Sequence, residues 1–353
     1  MSLNFYPNCV SNALTRNNWL QDIRNQIQNG LTYTGAQLTV QIFLEGWLKT
    51  YKSSVLPNTI YQYRLTVKNR IIPALGRIKL KDLRPDQIQY FYNACLENGV
   101  SVRTTLLIHT VLHCALNQAL KWGLIGRNPS QSVTRPKNKH KEMKILMADQ
   151  VGVFLDAAKD TKYEVVYWLA ITTGMREGEL LGLKWSDLDW ENKRLQVQRQ
   201  VQRVRDVGLV FSEPKTAAGK RLIVLSTTVM VKLSEQKNHQ EFIKQFAGYR
   251  WKENNLIFTS TVGTPVDWRN MYREFKSILK KADLPDIRFH DLRHTAATLM
   301  LQQGIHPKVV QERLGHSNIS LTLNTYSHVL PSMQDAAAEK MDEFLRLLRE
   351  NKE

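Results

Sequence analysis

Two arginines, two histidines and one tyrosine in the second half of the chain are the side chains with the clearest capacity for chemistry. Arginine can neutralise a pentavalent phosphorus centre, histidine can move or donate protons, and tyrosine can act as a nucleophile. Together they could break a phosphodiester without a metal and hold the broken end covalently. The five residues are Arg176, His290, Arg293, His316 and Tyr326.

The first arginine stands in a constrained setting. Arg176 follows a Thr-Thr-Gly sequence at 172–174 and precedes an apolar helix start. Glycine permits a sharp turn, and a helix that begins there directs backbone N–H groups at an anion. Glu179, three residues later, lies on the same helical face and could orient the guanidinium. Taken alone, the pair is better explained as a surface ion pair that contributes little.

The other candidates follow near the C-terminus. His290 and Arg293 are three residues apart, so a helix places both on one side. His294 points elsewhere on that helix, and we predict a structural role for it. His316 follows Gly315, where one helix ends and a turn suited to a phosphate begins. A free phenol has a pKa of about 10, and neighbouring arginines with a histidine base would ease deprotonation of the tyrosine.

Charge and composition favour a polyanionic partner in a reducing compartment. The chain of 353 residues has a net charge of +17 and a pI near 9.7, which favours nucleic acid over a merely basic soluble protein. Its three cysteines, Cys9, Cys95 and Cys114, fit neither a metal cluster nor a disulfide framework. No apolar run reaches membrane-spanning length, and the N-terminus lacks the basic-then-apolar order of a signal peptide, so we expect a cytoplasmic protein.

Helical periodicity predicts a small all-α domain in the first half of the chain. Apolar stripes mark four helices between residue 38 and residue 123, and Pro57 stands where a first helical turn tolerates proline. The segment 135–144 carries basic residues, a proline and no apolar period, so it is predicted to be an interdomain linker. It is either a solvated tether or a strap that contacts DNA phosphates.

The second domain is predicted to be mixed and mainly helical. Alternating residues predict strands at 195–201, 209–211 and 222–225, in one small antiparallel sheet. Helical patterns precede and follow these strands. The predicted fold class is therefore α+β, mainly α with a small antiparallel sheet.

Taken in order, these motifs resemble those of the tyrosine recombinases, or phage-type integrases. The matching strings are TGMR with EL (173–180), LKWSD (183–187), HDLRHT (290–295), LGHS (314–317) and TYSHV (325–329). The resemblance covers essentially the whole chain from Leu38 onward. It implies a four-helix, SAM-like core-binding domain at 37–134, the linker at 135–144 and a catalytic domain at 145–330.

The resemblance also implies a role for each site residue. Arg176 and Arg293 would clamp the non-bridging oxygens of the scissile phosphate, with Glu179 in support. His290 would be the base toward Tyr326, and His316 would donate a hydrogen bond to the phosphate. Attack by the tyrosine would leave a 3′-phosphotyrosyl bond and a free 5′-hydroxyl. This chemistry uses neither metal nor ATP, so no cofactor is expected.

A lysine on a β-hairpin is the general acid in the resembling family, and Lys215 takes the matching place. Lys220 is the second candidate for this role, because Gly219 departs from the serine or threonine often found there. The same hairpin could alternatively be only a basic surface on DNA. The residues predicted to contact DNA are Arg135, Lys137, Lys139, Lys141, Lys144, Lys220 and Arg221.

The resemblance implies a site-specific recombinase that clamps duplex DNA between its two domains. It would exchange strands through a Holliday junction in a DNA-bound homotetramer, for integration or excision of a mobile element. Accessory directionality factors or host DNA-bending proteins could assist it on the prokaryotic nucleoid. A type IB topoisomerase and a DNA-binding relative without cleavage activity are the competing hypotheses, and a two-metal nuclease built on the carboxylates near Glu179 is disfavoured.

Both ends of the chain extend beyond the two domains. Residues 1–36 resemble only the closing helix of an arm-binding domain, so binding to distal arm sites is in doubt. The C-terminal segment 331–353 contains a predicted amphipathic helix over 334–349. In the resembling family such a helix docks on a neighbouring protomer, and we expect the same here rather than packing on its own domain.

Overall fold

The computed structural model describes residues 38–51, 55–137, 143–204, 207–214, 216–326, 338–339, 341–343 and 345–346. The chain divides into two compact units, Met1–His140 and Lys141–Glu353. The division falls inside the predicted linker, of which residues 138–142 lie outside the described part. The predicted helix of segment 1–36 lies outside it as well.

The first unit is a helical bundle. Helix α1 is Val40–Tyr51 and α2 is Pro57–Thr66, which continues through a π-helical segment, Val67–Ile71, into a last turn at Ile72–Leu75. Helix α3 is Pro85–Glu97 and α4 is Val102–Lys121. Pro57 and Pro85 each begin a helix, where a missing N–H costs nothing. Their apolar faces form one core around the fully buried rings of Trp47 and Tyr92.

The second unit begins with three helices that lead to the first arginine. Helix α5 is Ala148–Ala157, α6 is Glu164–Thr173 and α7 is Glu177–Leu181. Most residues of α6 are buried, so this helix runs through the main core. Gly174 ends α6 with a φ of +64°, a conformation that glycine adopts without strain.

Two small antiparallel sheets follow. Strands β1 (Leu188–Asp189), β2 (Arg194–Val197) and β5 (Arg221–Val224) form one sheet in the order β1-β2-β5, with Leu195 opposite Ile223. Strands β3 (Gln200–Val204) and β4 (Gly208–Ser212) form a separate hairpin. The prediction of one strand over 195–201 is wrong, because the chain leaves the first sheet at 198–199 and pairs anew.

Helices complete the second unit. They are α8 (Thr227–Ala247), α9 (Trp268–Lys281), α10 (Asp291–Gln302), α11 (Pro307–Leu314) and α12 (Ile319–Tyr326). Helix α10 is buried along most of its length, and Leu292 and Ala296 lie in the core beside α6. The mainly helical fold class with small antiparallel sheets is confirmed, although the strands form two sheets rather than one.

The described residues of the C-terminal segment are helical at 338–339, 341–343 and 345–346. All of them are exposed, including the apolar side chains of Met341 and Leu345. The rest of the predicted helix over 334–349 lies outside the described part of the chain. Its docking on a second protomer stays a prediction.

Candidate active site

Arg176 is held by the carboxylate that follows it in sequence. It is the N-cap residue of α7, and its backbone N–H donates to Oε2 of Glu179 at 3.0 Å. Its Nη1 donates to Oε1 of the same side chain at 2.8 Å. The Glu179 side chain is 1% exposed, whereas that of Arg176 is 38% exposed. The carboxylate thus lies inside and leaves part of the guanidinium facing outward, which is not the arrangement of a surface ion pair.

Glu179 stays ionised despite its burial. Burial by itself would raise the pKa of this carboxyl. The hydrogen bond from Arg221, together with the backbone N–H and charge of Arg176, outweighs that effect and lowers the pKa below its ordinary value. The carboxylate therefore offers Arg176 a fixed negative partner at neutral pH.

Arg293 meets the first arginine motif through a backbone carbonyl. It lies in the first turn of α10 with a side chain that is almost fully buried. Its Nη1 donates to the carbonyl oxygen of Gly174 at 2.7 Å, across 119 residues of sequence. A Cβ on Gly174 would stand 2.4 Å from Cδ2 of Leu314, so glycine is required for this close approach. The structure thus brings the two arginine motifs together.

His290 stands at the N-cap position of α10. Solvent reaches its ring, yet enough protein surrounds it that desolvation, followed by the charges of His294 and Arg293, lowers its pKa to about 4. The rings of His290 and His294 pack edge to face with centroids 5.3 Å apart. The imidazole of His290 is neutral at physiological pH and can accept a proton.

His316 follows Gly315, whose φ is +68° at the end of α11. Its Nδ1 lies 2.8 Å from Oγ1 of buried Thr322, and its carbonyl oxygen accepts from Nε2 of Gln311 at 2.8 Å. Burial and then the charges of Arg293 and Arg176 lower the pKa of the ring to about 4. Arg221 also donates to Glu179, which holds Arg176, and to the carbonyl oxygen of Arg313 just before this turn, so hydrogen bonds connect the segments of Arg176 and His316.

The structure describes only some of the groups that the resemblance assigns as nucleophile and general acid. Tyr326 is the last residue of α12, which packs on α11, but its side chain lies outside the described part of the structure. Lys215 also lies outside the described residues. Lys220 is exposed, and its Nζ forms an ion pair with Oε1 of Glu213 at 2.8 Å. Gly219 has a steric reason to be glycine, because its Cβ would stand 2.5 Å from Cβ of Pro214.

The residues predicted to contact DNA fall into two groups. Arg135, Lys137 and Lys144 are exposed, as a contact with phosphates requires, while Lys139 and Lys141 lie outside the described residues. Arg221 differs from them. Its side chain is 7% exposed, and its guanidinium donates to Glu179, Arg313 and Gly219.

Sequence reasoning missed this inward role of Arg221. The period of strand β5 could have indicated it, because Arg221 shares a face with buried Ile223 while Leu222 and Val224 are exposed. It also missed Arg313, which donates to the carbonyl oxygens of Thr172 and Val224. Burial also raises the pKa of the nearby Glu177 carboxyl to about 7.

Among the described residues, no three histidine, cysteine or acidic side chains are grouped so that they could hold a metal ion. No helix within the same part of the chain combines the length and apolar character needed to cross a membrane.

Comparison with known proteins places this site in a family. Residues 144–333 match the model of the phage integrase family, and residues 39–96 match the phage integrase N-terminal SAM-like domain. A XerC-like tyrosine recombinase of Caldanaerobacter subterraneus is 31% identical over 342 residues, covering 92% of this chain and 88% of the relative. The ICEBs1 integrase of Bacillus subtilis is 25% identical over 325 residues, with coverage of 92% and 88%.

Solved structures share the fold. The Tn1549 transposon integrase in complex with a circular intermediate DNA has a TM-score of 0.73 at 23% identity, covering 86% of this chain and 99% of that one. A lambda integrase tetramer bound to a Holliday junction has a TM-score of 0.61 at 21% identity, with coverage of 86% and 88%.

The site and these matches define an enzyme that cleaves and rejoins DNA. The chain belongs to the phage integrase family of tyrosine recombinases, and it is a site-specific integrase. The resemblance predicted from the motifs is confirmed. The topoisomerase hypothesis is not favoured by these relatives.

Proposed function

We propose that this integrase cuts its target through Tyr326 and stores the broken phosphodiester as a 3′-phosphotyrosyl bond. The observation that carries the proposal is that hydrogen bonds join the segments of Arg176, Arg293 and His316 at the end of α6. Two fixed guanidinium groups beside a neutral imidazole suit the charge that develops on a phosphate under attack.

The arginines are preorganised for this charge. Arg176 is held by Glu179, and Arg293 is held by the Gly174 carbonyl, so neither has to be ordered when DNA binds. Donors that are fixed before the reaction do not need to reorganise in the transition state. We assign both arginines to the non-bridging oxygens of the scissile phosphate, with His316 as a further hydrogen-bond donor.

The proton transfers balance without a metal or ATP. The phenol oxygen of Tyr326 forms a bond to phosphorus while the bond from phosphorus to the 5′-oxygen breaks. His290 takes the phenol proton, because its ring is neutral at physiological pH and so has a free nitrogen lone pair to accept it. Lys215, with Lys220 as the second candidate, gives a proton to the departing 5′-oxygen. The reverse transfers rejoin the strand.

We further propose a tetramer on DNA that exchanges strands in pairs through a Holliday junction, for integration or excision of a mobile element. The lambda neighbour is a tetramer bound to a Holliday junction, and the Tn1549 neighbour is a transposon integrase in complex with a circular intermediate DNA. We assign residues 37–134 to core binding, residues 145–330 to catalysis and the segment 331–353 to contact with a second protomer. Directionality or DNA-bending factors would assist the enzyme on the prokaryotic nucleoid.

Covalent capture tests the proposed chemistry. The full chain is incubated with nicked duplexes of random sequence in EDTA, the mixture is denatured, and the DNA-linked peptide is mapped. We expect adducts at Tyr326 with the wild type and none with Tyr326→Phe, because phenylalanine lacks the attacking oxygen while keeping the ring.

The outcomes are distinct. Adducts on another residue, or adducts that persist in Tyr326→Phe, would refute the assignment of the nucleophile. Binding without any adduct would favour a DNA-binding relative without cleavage activity. Sequencing of the captured duplexes also yields the target site for the experiments below.

A further inference from the structure

Arg221 joins three segments of the catalytic unit at one buried guanidinium. Its Nη2 donates to Oε2 of Glu179 at 2.9 Å, its Nε to the carbonyl oxygen of Arg313 at 2.6 Å, and its Nη1 to that of Gly219 at 3.0 Å. The segments are α7, the end of α11 and the turn that precedes β5. Glu179 and Arg313 lie 42 and 92 residues away in sequence, so only the fold brings them together.

Two of these partners stand next to residues assigned to the phosphate. Glu179 holds Arg176 through its other carboxylate oxygen and through the Arg176 backbone. The carbonyl of Arg313 lies just before Gly315 and His316 in sequence. A Cβ on Gly315 would stand 2.9 Å from Nη1 of Arg221, which shows how closely the start of the His316 turn fits against this guanidinium.

Only arginine suits these contacts. A guanidinium is planar, always charged and able to donate in several fixed directions, whereas the lysine ammonium is a compact charge on a flexible stem. Arg221 occupies Oε2 of Glu179, and Oε1 is left to the guanidinium of Arg176. Loss of Arg221 would leave a buried carboxylate with Arg176 as its remaining charged partner, and the orientation of Arg176 would change with it.

We propose that Arg221 is a positioning residue that sets the placement of Arg176 and His316 around the scissile phosphate. This inference rests on the proposed function of those two residues. It replaces the expectation that Arg221 contacts DNA. A DNA contact would act on affinity, whereas a positioning residue acts on the rate at which bound DNA is cleaved.

A substrate without phosphate charge separates positioning from general structural damage. A methylphosphonate carries a methyl group in place of one non-bridging oxygen, so the reacting linkage has no charge for the arginines to neutralise. With Arg221→Lys we expect adduct formation on the phosphate duplex to slow by roughly 10²-fold, the usual cost of displacing a positioned catalytic group. On the methylphosphonate duplex the loss should be smaller by about tenfold or more.

The controls use the same chain and both duplexes. Arg176→Ala should give the same unequal loss with a larger magnitude, because it removes the charge itself. Lys232→Gln removes another partly buried ion pair, to Glu164 at the start of α6, and should leave both rates unchanged. Rates are compared at a temperature at which circular dichroism shows each variant to be folded. If Arg221→Lys does not fold, Glu179→Gln tests the same link from its other side.

Affinity for the phosphate duplex completes the test. We expect Arg221→Lys to bind it as the wild type does, with the same dependence on salt. Equal losses of rate on both duplexes would show that Arg221 has only a structural role. A weaker affinity that depends less on salt would show that it contacts DNA. Either result overturns the inference. A wild type that forms no adduct on the phosphate duplex would instead refute the proposed function, and this inference with it.

Discussion

Histidines with a lowered pKa occur in both units, but in different surroundings. In the helical unit, His109 is almost fully buried, its Nδ1 lies 3.0 Å from the hydroxyl of Tyr92, and its ring stacks on that of His113. Burial, followed by the charges of Arg135 and His113, lowers its pKa to about 4. The value equals that of His290 and His316 in the catalytic unit.

The difference lies in access and in neighbouring donors. Nε2 of His109 is buried and has no hydrogen-bond partner among the described residues. Because this nitrogen is buried, no substrate can reach it. His290 is exposed to solvent, and the pKa of His316 is lowered by two arginines that can bind an anion. A lowered histidine pKa therefore indicates burial in both units. It indicates a reactive site only where charged hydrogen-bond donors and access for a substrate are also present.

The largest contrast is expected from matched substitutions in the two clusters. His316→Gln should slow adduct formation by about 10²-fold or more, because a hydrogen bond to the developing charge is lost. His109→Gln should leave the rate per folded molecule close to that of the wild type. The check is the single-turnover rate of adduct formation on a captured duplex. Similar losses for both variants would erase the proposed distinction between the clusters.

Thermal stability should show the reverse order, with the larger loss in the His109 variant. His109→Ala leaves the buried hydroxyl of Tyr92 without the imidazole and opens a gap, which should cost about 1–3 kcal/mol. The measurement is thermal unfolding of the full chain, with His316→Gln expected to melt close to the wild type. Tyr92→Phe serves as the control: added to His109→Ala it should cost little more, since the hydrogen bond is already gone. Additive losses would show that the two groups are not coupled.

The smallest effect is expected from Glu177, because its side chain is partly exposed and solvent reduces the cost of its charge. Its pKa is about 7 in the folded chain and about 4.5 when unfolded, so the folded state binds more protons between these values. Stability from this group is therefore present below pH 4.5 and is lost as the pH rises to 7. Glu177→Gln should have the same melting temperature as the wild type at pH 4.5 and a higher melting temperature than the wild type at pH 8. A difference that does not depend on pH would contradict the raised pKa.

Short-range motifs made much of the site predictable. The spacing of Arg176 and Glu179 indicated their contact, because three residues on a helix start determine it. The helices of both units followed from apolar periodicity and from prolines such as Pro57. These features depend on residues that are close in sequence, so they can be recognised without knowledge of the fold.

Long-range contacts account for what was missed. The bond between Arg293 and Gly174 and the three bonds of Arg221 join segments that no local pattern relates. The interruption between β2 and β3 was hidden because alternation continues across 198–199 while the pairing partner changes. Charge alone favoured a DNA contact for both Lys220 and Arg221, and only burial separates the two side chains.

The fit of Gly315 has a practical consequence for laboratory evolution of this enzyme toward new targets. Its left-handed backbone and the 2.8 Å that would separate a Cβ from the carbonyl oxygen of Ala218 leave no room for another side chain. Libraries randomised at this codon will return glycine or inactive clones, and so waste their diversity. Mutational effort is better spent on exposed positions, such as Lys137 and Lys144, where a new side chain meets only solvent or substrate.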